Sequence, residues 1–169
     1  MPEYTQYFIQ ILLSILLGLF IGFEREQQKK PAGIRDVAIV TLGACLFTII
    51  SLEMAIVANQ FQQPIRYDIG RIIAYTIVSM GFLGSGAIMR TQDKMEGITT
   101  AGVLWIMVSV GILCGLGKYV LAGVSTLSVY CILKLNYFKV KIEPRHVKRK
   151  KKIKKSLDNR ATGALHYEK

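Results

Sequence analysis

Hydrophobic residues form five long blocks along the chain, separated by short polar segments. A membrane-spanning helix needs roughly 20 predominantly apolar residues, and each block approaches that length. The pattern therefore predicts an all-α integral membrane protein, a compact bundle of about five transmembrane helices. The predicted spans are Tyr7–Phe23, Val37–Ala58, Gly70–Met89, Ile98–Leu116 and Tyr119–Phe138. We assign residues 1–138 to a transmembrane domain and residues 139–169 to a basic tail.

Basic residues are distributed unevenly among the polar segments. When alternate segments are assigned to one side of the membrane, that side receives 18 of the 22 Lys and Arg residues and the other side receives three. The positive-inside rule places the richer side in the cytoplasm. We therefore predict an outside N-terminus and an inside C-terminus.

The tail after residue 138 contains 12 of the basic residues. Such a cluster beside a membrane is attracted to anionic headgroups, by about 1 kcal/mol per basic residue near the surface. Nucleic-acid binding is the less favoured alternative, because basic residues in a multi-span protein first report orientation. We predict a mostly disordered cytoplasmic tail. The residues expected to contact lipid are Lys148, Arg149, Lys150, Lys151, Lys152, Lys154 and Lys155.

Sequence motifs of enzymes are missing from the chain. It has no phosphate-binding glycine loop of the Walker type and no HExxH or GxSxG motif. The three cysteines lie in the predicted spans without CxxC spacing, so we interpret them as packing residues. We expect no catalytic activity and no cofactor, and the sequence assigns no metal ligands.

Small residues recur at helical spacing in three of the predicted spans. Ser14, Gly18 and Gly22 are four residues apart in the first span, and Gly111 and Gly115 are four apart in the fourth. Close packing of small residues drives much of helix association in lipid. The glycine-rich run 81–86 also predicts a locally irregular third helix.

Polar residues converge on the predicted cytoplasmic ends of the helices. Asp36 can cap the second span and complement its dipole. Two interpretations remain open: an ion-paired layer that locks the bundle, and a binding site. Both predict that Glu24, Arg35 and Arg90 are important. The candidate residues in this layer are Glu24, Arg25, Pro31, Gly33, Arg35, Asp36, Arg90, Gly97, Thr99 and Thr100.

Few charged residues lie within the predicted spans. Glu53 lies about 24 Å along the second helix from its cytoplasmic start, so we place it near the outer headgroups. No acidic residue then remains at the membrane midplane, which counts against a proton relay or a cation pathway.

Four segments together resemble the membrane domain of the MgtC/SapB family of bacterial proteins. Their order and spacing fit over Leu12 to Phe138. The segments are Gly18-Leu-Phe-Ile-Gly-Phe-Glu-Arg-Glu26, Lys30-Pro-Ala-Gly-Ile-Arg35, Gly81-Phe-Leu-Gly-Ser-Gly-Ala-Ile-Met-Arg90 and Gly97-Ile-Thr-Thr-Ala-Gly-Val-Leu-Trp105.

This resemblance implies a multi-pass protein of the bacterial plasma membrane. Family members are associated with growth in limiting magnesium, with stress adaptation and with the virulence of intracellular pathogens. The best-known members look like regulators that bind other membrane proteins, including ATP synthase, and a homo-oligomer also fits. The motif positions carried over are Glu24, Arg25, Pro31, Gly33, Arg35, Gly81, Gly84, Arg90, Gly97 and Thr100.

Two features depart from the family pattern. Asp36 stands where the family more often has Thr or Ser, and a basic tail stands where the best-known members continue into a folded cytoplasmic domain. The first hypothesis is a non-enzymatic regulator that acts by helix packing. The alternative is a transporter or channel for a divalent cation such as Mg²⁺ that uses Glu24, Asp36 and Glu53. A lipid- or RNA-sensing tail on a passive anchor is the third hypothesis.

Overall fold

A computed structural model describes residues 2–60, 68–91 and 94–142 of the chain. Within these ranges the chain forms five helices and one short hairpin, which confirms the predicted all-α membrane bundle and adds a small β element to it. The elements in chain order are α1 (Pro2–Gln27), α2 (Ile34–Gln60), α3 (Ile69–Gly86), β1 (Met89–Thr91), β2 (Lys94–Glu96), α4 (Ile98–Gly115) and α5 (Tyr119–Ile142). The predicted lipid-contact cluster, from Lys148 to Lys155, lies outside the described residues.

Four of the described helices are long and apolar enough to cross a membrane. They contain the stretches Tyr4–Gln27, Ile34–Ala58, Ile69–Gly86 and Ile98–Gly115, and the apolar stretch of α5, Tyr119–Leu135, is shorter. One predicted boundary was wrong, because α3 ends at Gly86 and Met89 belongs to β1. The backbone of Met89 pairs with that of Glu96, so the chain leaves the helix to form the hairpin.

The chain divides into two compact units, Met1–Tyr130 and Cys131–Lys169. The first unit contains α1 to α4 and the first half of α5, and all the contacts described below lie within it. In the second unit, the described residues form the end of α5.

Two helices end in the same hydrogen-bonding pattern, the Schellman motif. After α1, Lys30 N–H donates to the carbonyl of Arg25 and Lys29 N–H to that of Glu26, while Lys29 has a φ of 53°. After α4, Lys118 and Gly117 make the equivalent pair of bonds, with Gly117 at a φ of 70°. The motif satisfies carbonyls that the helix leaves unpaired and turns the chain sharply.

The centre of the first unit is α2, which packs against α1, α3 and α4. A Cβ atom added to Gly18 would lie 2.8 Å from Cα of Ala38, and one added to Gly22 would lie 2.7 Å from Cα of Ile34. Because real Cβ atoms are not found so close to backbone, both positions require glycine. The predicted glycine face of the first span is therefore confirmed as the contact with α2.

Two glycines of α4 also contact α2 closely. A Cβ on Gly111 would overlap the carbonyl oxygen of Thr41, and one on Gly115 would lie 2.6 Å from Cβ of Thr48. Both threonine hydroxyls donate to carbonyls of α2 itself, at 2.8 Å each, so no buried hydroxyl is left unpaired at this contact. Thus α2 lies between two glycine faces, one on each neighbouring helix.

The glycines of α3 do not follow this pattern. Gly84 is buried and would place a Cβ 3.7 Å from that of Ala101, which is ordinary contact, whereas Gly81 and Gly86 have nothing within 4 Å. The run 81–86 forms regular α-helix, so the expected irregularity is absent from it. Asp68 caps this helix, where its carboxylate accepts the N–H of Gly70 at 3.0 Å.

Cys45 and Cys114 are buried, as expected for packing residues. Cys131 is exposed, so the packing interpretation was wrong for this position. Its exposure could not be predicted from an apolar run that gives no helical phase.

We predict that replacing two glycines of α4 by alanine will have opposite effects. Gly111→Ala should destabilise the protein by about 1–3 kcal/mol, because the new methyl group meets the Thr41 carbonyl. Gly102→Ala on the same helix should be neutral or stabilising by up to about 1 kcal/mol, since Gly102 has open space and alanine favours helix. Thermal unfolding of the purified variants in one detergent measures both, and equal midpoints would contradict the packing described here.

Candidate functional site

Arg25 joins the end of α1 to the beginning of α4. Its side chain is 2% exposed, and Nη2 donates to the hydroxyl of Thr100 at 2.5 Å. The Nε atom of Arg25 is buried without a partner in the described part of the chain. A buried guanidinium that depends on one hydroxyl fixes the two helices relative to each other, because losing that bond leaves a charged donor unsatisfied.

Glu24 is the second buried charge at this end of the bundle. The residue is 3% exposed, and its Oε1 accepts a hydrogen bond from the side-chain amide of Gln28. Its Oε2 is buried without a hydrogen-bond partner among the described residues. Since buried carboxylate oxygens are normally paired, this atom is available to a proton, a cation or a donor from another molecule.

The first turn of α2 is capped by two carboxylates. The N–H of Gly33 donates to Asp36 Oδ2 at 3.0 Å, and the N–H of Ile34 donates to Glu26 Oε2 at 3.0 Å. Asp36 therefore reaches back to the residue before the helix, as the acidic member of a capping box does. A side chain at Gly33 would crowd Glu26, whose Oε2 would lie 2.9 Å from the added Cβ. The predicted capping role of Asp36 is confirmed, with Glu26 as an additional cap.

Gly97 connects the hairpin to α4. It has a φ of 92° and precedes the first helical residue, and an added Cβ would overlap the carbonyl oxygen of Ala87. Glycine is therefore required here on two grounds, the left-handed backbone and the space. This contact sets the start of α4 and hence the position of Thr100.

The structure separates the predicted residues of this layer into two groups. Glu24, Arg25, Gly33, Asp36, Gly97 and Thr100 form the interlocked contacts above. Pro31, Arg35, Arg90 and Thr99 are exposed. Within the described residues of the layer, hydrogen bonds rather than salt bridges hold the elements together, so the ion-paired interpretation is not what is found.

An apolar cleft of about 380 Å³ opens beside the layer, between α2, α3 and α4. Asp36 and Pro31 lie at one side of it, and Met80, Leu83 and Leu104 contribute apolar walls. Since the carboxylate of Asp36 already accepts the N–H of Gly33, its first role is structural.

A second polar cluster lies near the start of α1, and of its members only Glu53 was named from the sequence, in the transporter alternative. The hydroxyl of Tyr7 donates to Glu53 Oε1, which joins α1 to the end of α2. Gln10 is 2% exposed, and its Nε2 donates to the carbonyl of Gly115 at 3.0 Å. The sequence did contain a signal, because Gln10 precedes Ser14, Gly18 and Gly22 at the same four-residue spacing and so lies on the packing face of α1.

We predict that the hydroxyl of Thr100 contributes more to the free energy of unfolding than the hydroxyl of Thr99. Thr100→Val keeps the shape of the side chain but leaves the buried Arg25 without its partner, which should cost about 1–3 kcal/mol. Thr99→Val is the matched control, since Thr99 is exposed in the same helical turn. Thermal unfolding compares the two variants. A midpoint of Thr100→Val at or above that of Thr99→Val would show that the Arg25–Thr100 hydrogen bond does not stabilise the fold.

Comparison with known proteins places this arrangement in a family. The model of the MgtC family matches residues 11–140. An uncharacterized protein of Haemophilus influenzae is 35% identical over 136 residues, which cover 80% of this chain and 57% of the relative. Protein MgtC of Salmonella typhimurium is 36% identical over 125 residues, which cover 74% of this chain and 50% of that protein. Protein SapB of Bacillus subtilis is 31% identical over 122 residues, which cover 72% of this chain and 52% of that protein.

The range matched by the family, residues 11–140, contains Glu24, Arg25 and Thr100, the buried residues of the layer. The chain spans about half the length of the curated relatives it matches. No solved structure matches the chain. From the family match and the identities to MgtC and SapB, the chain belongs to the MgtC family.

Proposed function

We propose that this protein is a non-enzymatic component of the bacterial plasma membrane that regulates other membrane proteins by helix–helix contact. The setting we propose is magnesium limitation or acid and intracellular stress, as the family resemblance implies. The observation that carries the proposal is a face of α3 that stays exposed in the described part of the chain. Only Met80 and Gly84 of this helix are buried.

The open face of α3 has the composition of a helix-packing surface. Ala74, Val78, Gly81 and Ser85 follow one another at spacings of three and four residues, and all four are exposed. An added Cβ at Gly81 would meet nothing within 4 Å. Small residues and hydroxyls at such spacing allow close approach of a second helix in lipid. Gly18 and Gly22 of α1 and Gly111 and Gly115 of α4 are already used inside the bundle, whereas this face of α3 is exposed.

A divalent cation transporter remains the second candidate, because Glu24 Oε2 is buried without a partner among the described residues. The placement of the carboxylates supports it less well. Glu24 lies near the end of α1, whereas Glu53 on α2 contacts Tyr7 near the start of α1. No group of three His, Cys, Asp or Glu residues suited to a metal occurs among the described residues. Mg²⁺ is usually held by carboxylates together with several waters in near-octahedral geometry.

We predict that Gly81→Leu will weaken association with a partner while the fold persists. Gly81 is exposed and an added Cβ would meet nothing within 4 Å, but a leucine there blocks close approach of another helix. A loss of about 1.4 kcal/mol would lower association tenfold. Gly123→Leu on α5 is the matched control, because that glycine also has nothing within 4 Å.

The measurement uses a photo-crosslinking residue at position 78 in the full chain in its host membrane, in the unaltered, Gly81→Leu and Gly123→Leu backgrounds. ATP synthase subunits and a second copy of the chain are scored by name, and growth in low magnesium is followed in parallel. Crosslinks and growth that fall only with Gly81→Leu support the proposal. Equal loss or equal retention in both variants would contradict it.

The transporter alternative is tested with purified protein in liposomes that contain a trapped magnesium indicator. We expect no flux above that of empty liposomes. A flux that Glu24→Ala abolishes would replace the regulatory function by transport.

A further inference from the structure

A cleft of about 400 Å³ lies where the start of α1 meets the end of α2. Its volume is within the range of small-molecule sites, roughly 300–1,000 Å³. The polar residues of its lining are Gln6, Tyr7, Gln10 and Glu53, and the walls are otherwise mostly aliphatic. This mixture of a few polar groups on an apolar wall is typical of ligand sites.

Glu53 supplies a negative charge that no described basic group neutralises. The residue is half-buried, and its Oε1 accepts the hydroxyl of Tyr7. Among the residues whose side chains the structure describes, no salt bridge to Glu53 occurs. A carboxylate in a partly apolar cleft gains much from a cation, because the surrounding dielectric is low.

Gln10 provides an unsatisfied acceptor in the same lining. Its Nε2 donates to the carbonyl of Gly115, and a carbonyl can only accept, so this bond fixes which end of the amide is the oxygen. The remaining Oε1 is buried and has no partner among the described residues. Because an unpaired buried acceptor costs about 1–3 kcal/mol, a donor that reaches it is favoured.

The cleft therefore combines a carboxylate and an amide oxygen with no described cation to satisfy them. We propose that it binds a small primary ammonium ion, with the ammonium at Glu53 and Gln10 and a short alkyl chain against Ile49, Leu52 and Ile56. An ammonium group has three N–H donors and a full charge. A divalent metal fits less well, since the lining offers one carboxylate.

This site is independent of the proposed regulatory contact, which uses α3. The test uses n-butylammonium chloride as the probe and the full chain in nanodiscs, with binding followed by ligand-observed saturation-transfer NMR. Butanol tests the alkyl part without charge, tetramethylammonium tests charge without N–H donors, and MgCl₂ tests a metal. We expect saturable butylammonium binding that is at least tenfold stronger than that of either organic analogue and is not displaced by Mg²⁺.

Glu53→Gln should lower butylammonium affinity at least tenfold, because it removes the charge and keeps the size of the side chain. Glu96→Gln is the matched control, since Glu96 is exposed on β2 and lies outside the cleft. Thermal midpoints of both variants verify folding, and the analogue series on the unaltered chain decides the question even if Glu53→Gln fails to fold. Equal binding of butanol, displacement by Mg²⁺, or unchanged affinity in a folded Glu53→Gln would each overturn the proposal.

Discussion

The backbone of α2 is approached closely from two sides, and the positions of the other helices depend on this contact. One side of α2 packs against Gly18 and Gly22 of α1, and another side packs against Gly111 and Gly115 of α4. Lipid provides no hydrophobic force between helices, so van der Waals contact over such surfaces must supply much of the association energy. With α1 and α4 held against α2, their ends come close enough for Arg25 to reach Thr100. The charged layer is thus a consequence of the glycine packing.

Much of the fold could be predicted from the sequence because the bilayer restricts the choice of structure. Long apolar runs must be helical in lipid, so the positions of α1, α2 and α4 followed directly. The hairpin could not be predicted, since its strands have three residues each and no strong alternation. It shortened α3 at Gly86, and it explains why Gly97 requires a left-handed backbone.

The candidate site was predicted in outline, but its members were weighted wrongly. The sequence predicted the same importance for three juxtamembrane charges, Glu24, Arg35 and Arg90. In the structure Glu24 is buried and the two arginines are exposed. Helical phase accounts for part of this difference. Gly18, Gly22 and Arg25 follow one another at spacings of four and three residues, so Arg25 continues the packing face of α1. Gln10 lies on the same face, although attention to charged residues alone left it out.

Solid-state NMR on selectively ¹³C-labelled protein in bilayers tests the central contact most directly. A Cβ added to Gly22 would lie 2.7 Å from Cα of Ile34. The Cα of Gly22 is one carbon–carbon bond, about 1.5 Å, from that Cβ position, so the two Cα atoms lie close together. A strong cross-peak between the two Cα atoms is therefore expected, together with one between Gly18 and Ala38. If sequential peaks within α1 and α2 are present and both interhelical peaks are missing, α2 does not lie against the glycine face of α1.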